Sequence, residues 1–224
     1  MITVNKANPT AAEERTSLVN ASDGAGLHLE DGGRITLGDV AAAKFGTSDF
    51  SVEFVLNQTG ENSIDNYIYF SNAGGNNRVY FRNDLSDNLF RITFRDSGGA
   101  ASDKDINYDM SADYNTPTHY VVTFDRDGDA TLYKNGNSVG SVDISSASSI
   151  NLGDGNANVQ QISSVANYGV IGTFYRFRTY NKLVDAKALY ERADVPFADQ
   201  YGEQNLVDAA ASAFTSGTYS WVAY

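Results

Sequence analysis

Residues 119–140, HYVVTFDRDGDATLYKNGNSVG, decide the fold. They read strand, turn, strand, turn, strand. His119 to Phe124 is rich in β-branched and aromatic residues, Asp127-Gly128 breaks the run, and Thr131 to Lys134 resumes it. Asn135-Gly136 then turns the chain again, because Asn-Gly accepts the positive φ angles of a two-residue hairpin. A meander of short strands implies an antiparallel sheet, and with it a sandwich or barrel suited to surface recognition.

The same texture extends outward in both directions. Gly26 to Glu30 and Arg34 to Leu37 read as two short strands around an Asp-Gly-Gly turn, and 41–44 reads as a single helical turn. In FSVEFVL (50–56), Phe50, Val52, Phe54 and Leu56 share one face, against Ser51 and Glu53 on the other. Val55 interrupts that polar face, which implies partial cover on the outside. Strands follow at 67–70, 78–82 and 88–95, where Phe90, Ile92 and Phe94 oppose Leu89, Arg91, Thr93 and Arg95. The stretches 98–105, 108–118 and 151–158 read as loops. A long final strand is expected at 170–180, with Ile171, Phe174 and Phe177 in the core. The one helix is expected at 183–193, with Asp185 as N-cap and Leu189 packing inward, ended by Pro196. The expected organisation is an N-terminal arm (1–20), a β-domain (21–195) and a C-terminal tail (196–224).

Composition narrows the function. A net charge of −12 from 16 basic and 28 acidic residues argues against a nucleic-acid partner, which needs clustered Lys and Arg. No apolar run is long enough to span a membrane, and the first residues lack the pattern of a signal peptide. With no Cys there are no disulfides and no thiolate metal sites. Such a chain suits a cytosol, or a virion component released by lysis.

Three segments resemble the laminin-G-like, concanavalin A-like jelly-roll family. GLHLEDGGRITLGD (26–39) with FGTSDFSVEFVLN (45–57) is similar to its opening strands. The segment at 119–140 is similar to its W-x-H-V-A … L-Y-V-N-G-x-x-V-G hairpin, with His119 at the family's His. GVIGTFYRFRTYNKLVDAKALYERA (169–193) is similar to its last strand and short helix. The resemblance covers roughly residues 24–195 and implies an all-β, two-sheet antiparallel jelly-roll sandwich with one short C-terminal helix. A second resemblance concerns 196–224, PFADQYGEQNLVDAAASAFTSGTYSWVAY, which is similar to text that follows such domains in bacteriophage tail-fibre and virion proteins.

Catalysis finds little support in the residues. Glycoside hydrolysis needs two facing carboxylates about 5–9 Å apart, and none of the seven Glu (13, 14, 30, 53, 61, 191, 203) sits in an E-x-D-x-x-E arrangement. No nucleophile elbow, H-E-x-x-H or P-loop is present, and His28 and His119 have no acidic neighbour in sequence. Asp125-Arg126-Asp127-Gly128-Asp129 lacks the spacing of an EF-hand loop and reads as a solvated turn. The family's calcium-ligating Asp in the last strand corresponds here to Tyr175, a departure from the pattern. Asp103, Asp105 and Asp109, with Asn107, are the candidate calcium ligands; no other cofactor is implied.

Glycan binding needs aromatic faces beside amide, carboxylate or guanidinium groups. The candidate contacts are Tyr69, Asn72, Asn76, Asn77, Arg78, Tyr80, Asp84, Asp87 and Asn88, close to Tyr67 and Phe81 on neighbouring strands and loops. The same residues also make ordinary turns and half-buried strands. The expected function is a non-enzymatic virion protein, a phage tail-fibre or capsid-decoration component. It would act as a trimer, contact other virion proteins and touch host surface glycans. The alternative is a carbohydrate-binding or adhesion module of a secreted bacterial protein, at the cell surface or outside it.

Overall fold

The computed structural model describes residues 25–29, 34–36, 44–60, 64–71, 77–84, 89–95, 103–152, 160–162, 171–191, 214–216 and 219–223. In chain order the first strands are β1 (Ala25–Leu29), β2 (Arg34–Thr36), β3 (Phe50–Gly60), β4 (Ile64–Ser71), β5 (Arg78–Asp84), β6 (Leu89–Arg95) and β7 (Lys104–Asp109). The rest are β8 (Thr118–Phe124), β9 (Asp129–Lys134), β10 (Asn137–Asp143), β11 (Gln160–Ile162), β12 (Ile171–Tyr180), β13 (Phe214–Ser216) and β14 (Tyr219–Ala223). A single helix, α1 (Ala186–Glu191), follows β12. The strands form two antiparallel sheets. Sheet A runs β10-β9-β8-β3-β12-β1-β14, and sheet B runs β13-β2-β11-β4-β5-β6-β7.

The diagnostic meander forms as expected. Asn135 and Gly136 take φ of 48° and 78°, so the β9–β10 hairpin closes on two left-handed residues. The turn also explains why position 136 has no side chain: a Cβ there would stand 3.2 Å from the Cα of Lys187 in α1. In the other turn, Asp127 N donates to Asp125 Oδ1 at 3.2 Å, closing an Asx turn. Arg126 is not part of a solvated loop. It is 2% exposed, lies over the Phe94 ring, and donates to the carbonyls of Ala147, Ser148 and Ile150 at 2.9, 3.2 and 2.6 Å. Burial pulls its pKa below the ordinary guanidinium value.

Alternation along the strands builds the core. Phe50, Val52, Phe54 and Leu56 of β3 are buried together, facing Phe81 of β5 and Phe90, Ile92 and Phe94 of β6. Phe45, Phe50 and Phe124 stack at centroid distances of 4.1 and 4.3 Å, and Phe54 meets Phe81 edge-on at 6.0 Å across the sheets. Such ring pairs add about 0.5–1.5 kcal/mol each beyond their area burial. In β12, Phe174 and Phe177 both face the core although they stand three apart. A bulge between Phe174 and Arg176 restores the alternation. At one end of the sandwich, buried Asp113 accepts from the hydroxyls of Tyr120 and Tyr108 at 2.6 and 3.1 Å and pairs with Lys134.

Several expectations are corrected. β7 takes residues from the adjoining ends of two expected loops, 98–105 and 108–118, because its alternate residues Ile106 and Tyr108 pack inward while its backbone pairs with β6. Ile171 is only half-buried. β12 is not the last strand: β14 pairs with β1 and β13 with β2, so both sheets continue beyond residue 195. The helix is shorter than 183–193, but Asp185 caps it through a 3.0 Å bond from Ala188 N. The arm at 1–20, the turn at 41–43 and the loop at 153–158 lie outside the described residues.

Candidate functional site

The outer face of sheet B concentrates positive charge in an acidic protein. Along β5, Val79 and Phe81 are fully buried, so Arg78, Tyr80 and Arg82 project from the opposite side. Along β6, Phe90, Ile92 and Phe94 point to the core, leaving Arg91, Thr93 and Arg95 outside. Register then sets these residues in rows: Arg78 opposite Arg95, Tyr80 opposite Thr93, and Arg82 opposite Arg91. β7 extends the last two rows with Asp105 and Asn107. Four of the chain's 16 basic residues therefore share one face of two adjacent strands.

Tyr80 lies at the centre of this face and is 6% exposed. The guanidinium carbons of Arg78, Arg82 and Arg95 each stand 5.5 Å from its ring centroid, within cation–π range. Arg95 also donates to the Tyr80 hydroxyl at 3.1 Å and binds Asp103 through both Nε and Nη2. The hydrogen bonds it donates to Asp103 raise the Arg95 pKa above its ordinary value. Thr93 Oγ1 donates to Asp105 at 2.6 Å. Arg82 differs from Arg95. Its Nε is shielded from water without a hydrogen-bond partner, as are the Nε atoms of Arg78 and Arg91.

Of the sequence-predicted glycan contacts, Arg78 and Tyr80 are thus brought together with three arginines that the sequence reading did not select, Arg82, Arg91 and Arg95. Tyr80 organises these side chains rather than offering an open ring. Tyr69 lies in register with Tyr80 on β4, Asp84 ends β5 opposite Ile64 and Leu89, and Asn77 is half-buried just before β5. Asn72, Asn76, Asp87 and Asn88 lie outside the described residues. The signal for the missed arginines was the two-residue period of R-x-Y-x-R and R-x-T-x-R. The three candidate calcium ligands are separately engaged: Asp103 by Arg95, Asp105 by Thr93, and Asp109 by the backbone N–H of Ser111 at 2.9 Å. Among the described residues no three metal-ligating side chains form a cluster.

The outer face of sheet A is closed. Glu53, expected to face outward singly, is 0% exposed beneath the segment leading into α1. Its Oε1 accepts from His119 Nε2 at 2.9 Å. Its Oε2 accepts from the Tyr180 hydroxyl at 2.5 Å and lies 3.4 Å from Arg178 Nη1. Ser51 Oγ donates to the carbonyl of Lys182, and Tyr190 lies beside the His119 ring at 5.7 Å. His119 therefore does have an acidic partner, diagonally across the β3–β8 ladder and two residues from its register partner Val55. A carboxylate and imidazole so enclosed hold the covering segment in place.

Comparison with known proteins agrees with this architecture. The family model described as concanavalin A-like lectin/glucanases superfamily, of the laminin G type, matches residues 22–188, and the chain belongs to that family. No match is found among curated protein sequences. Among solved structures, the Ruminococcus gnavus IT-sialidase CBM40 bound to α2,3 sialyllactose is 12% identical with a TM-score of 0.56; the match covers 75% of this chain and 96% of that one. The binding domain of botulinum neurotoxin DC in complex with rat synaptotagmin II is 15% identical with a TM-score of 0.56, covering 75% of this chain and 42% of that one. NanB, a sialidase from Streptococcus pneumoniae, solved with Optactamide, is 16% identical with a TM-score of 0.58, covering 74% and 27% respectively. The chain thus spans less than half the length of the latter two.

Proposed function

We propose that this member of the concanavalin A-like lectin/glucanases superfamily is a non-enzymatic attachment module that holds carbohydrate on the outer face of β4–β7. The observation that carries the reading is the arginine-lined surface around Tyr80, set on strands whose other face is locked in the core. Guanidinium groups and amides at fixed strand spacing suit the hydroxyl and charged groups of a sugar. The neighbouring CBM40 fold, solved with a bound saccharide, supports it as an analogy of scaffold. The absence of catalysis is supported by Glu53, whose oxygens are all engaged beneath a covering segment. Binding of the full chain to a glycan panel is expected to saturate, and to weaken in Arg91→Gln. Silence across the panel would overturn the reading.

For its setting we infer an attachment or decoration role on a phage particle, as a trimer in contact with other virion proteins. The likeness of residues 196–224 to tail-fibre text supports this. Light scattering is expected to give three times the chain mass, and antibody labelling to decorate particles. A monomer absent from particles would favour the alternative, an adhesion module of a longer secreted bacterial protein. That alternative draws on the partial coverage of the neurotoxin and NanB chains.

A further inference from the structure

We propose that residues 214–223 are exchanged between copies, so that the β13–β14 segment of one chain completes both sheets of the next. The inference rests on the trimer reading above and names the contact that builds it.

The two lateral sides of the sandwich are closed in different ways. On one side the edge strands β7 and β10 meet directly: a Cβ at Gly140 of β10 would stand 2.9 Å from Ile106 Cγ2 of β7. On the other side one short stretch joins the sheets. β13 extends sheet B beyond β2, β14 extends sheet A beyond β1, and only residues 217 and 218 lie between the two strands. β14 pairs with β1 from Ala25 with Ala223 to Leu29 with Tyr219. β13 pairs with β2 at Ile35 and Arg34. The outer edges of β1 and β2 therefore form a slot with one rail in each sheet. Residues 214–223 fit it through main-chain pairing, the contact made when an extended segment adds to a sheet edge.

The segment arrives from the far side of its own sandwich. The family model, which matches residues 22–188, includes β1 and β2 and leaves out β13 and β14. α1 lies over β8 and the β9–β10 turn, where Tyr190 meets the His119 ring and Lys187 stands against Gly136. Between β8 and β14 lie β3, β12 and β1, a separation of roughly 20 Å at the usual strand spacing. The 22 residues from 192 to 213 join α1 to β13, and a chain of that length reaches roughly 75 Å when extended. The connector exceeds the path several-fold, so it also reaches the slot of a neighbouring copy. Exchange preserves every main-chain bond of β13 and β14, because the copies are identical, and its cost is confined to the connector, where closure entropy changes slowly with length. Each copy gives its segment to one neighbour and takes one from the other, a head-to-tail relation that closes as a ring of three.

The chain has no Cys, so introduced thiols report without background. Ala25→Cys in a tagged full chain and Ala223→Cys in an untagged one place thiols at register partners. The two are co-expressed and treated with a short bis-maleimide, and they meet only where the segment has crossed between copies. A product with the summed mass of one tagged and one untagged chain is expected, and is absent when either chain lacks its Cys. In a chain carrying both substitutions, linked dimers and closed trimers are expected in place of an internal link. An internal link alone, seen as the mass of one chain with both thiols consumed, would overturn the exchange. If light scattering then still gives three chain masses, the trimer reading stands without it; a monomer removes both. No link in either format would show that β14 does not rest on β1, and would also overturn the proposal. Near-UV circular dichroism checks that each variant is folded. Gly26→Cys with Val222→Cys, the next register pair, replaces any variant that is not.

Discussion

The outer faces of the two sheets treat charge in opposite ways. On sheet A, Glu53 is enclosed by His119, Tyr180 and Arg178, and the segment into α1 lies over them. On sheet B, Arg82 and Arg91 stand opposite each other on the β5–β6 ladder, and Asp103, the carboxylate bound by Arg95 at the other end, does not pair with Arg82. Both groups occupy outward positions on central strands. A polar residue at such a position is therefore not by itself a sign of function. The distinction lies in how far the chain itself furnishes the counter-charge and the cover.

The largest effect is expected at Glu53. Removing one member of a buried charged set leaves the others desolvated and uncompensated, which costs about 3–5 kcal/mol. Glu53→Ala should lower the urea unfolding free energy by that amount. A loss under about 1 kcal/mol would mean that the covering segment does not depend on this carboxylate. The contrast between the two faces would then fail on the sheet A side.

Tyr180 sharpens the same contrast with a pH signature. Tyr180→Phe removes a hydroxyl that donates to a charged, buried acceptor, an expected loss of about 1.5–3 kcal/mol at neutral pH. Burial, and then the Glu53 charge, push the Tyr180 phenol pKa well above its ordinary value. Tyr120 is raised for a similar reason, burial followed by its bond to Asp113. Above pH ~10 the unfolded chain releases phenolic protons that the folded chain keeps. The folded state then binds more protons, so stability is fully present below that pH and declines as pH rises past it. The decline between pH 9 and 11 should be shallower in Tyr180→Phe than in wild type; parallel curves would show that this phenol does not drive it.

What could be read from the sequence followed locality. The two-residue period of β3 and β6, the β-branched and aromatic run of β8 and the Asn135-Gly136 turn are local signals, and they lead directly to the sandwich. β7 was missed because its inward residues, Ile106 and Tyr108, are too few to mark a strand without the partner that holds it. Val55 hinted at cover over sheet A, but the cover itself comes from residues more than 120 positions along the chain. The site divided in the same way. Arg78 and Tyr80 were visible as a polar–aromatic cluster, whereas Arg91 and Arg95 join them only through the register of β5 with β6. The spacing of Asp103, Asp105 and Asp109 suggested a shared ligand, yet each found a neighbour of its own.

The smallest expected effect is the most telling. Arg82→Ala loses the contact of its guanidinium with the Tyr80 ring, worth about 0.5–1 kcal/mol at such a site. It also removes a cation facing Arg91 and a shielded donor with no partner, both of which disfavour the folded state. The terms are of similar size and opposite sign, so the net change in unfolding free energy should fall within about 0.5 kcal/mol of zero. A loss above about 1.5 kcal/mol would mean that Arg82 is held for the fold, as Glu53 is.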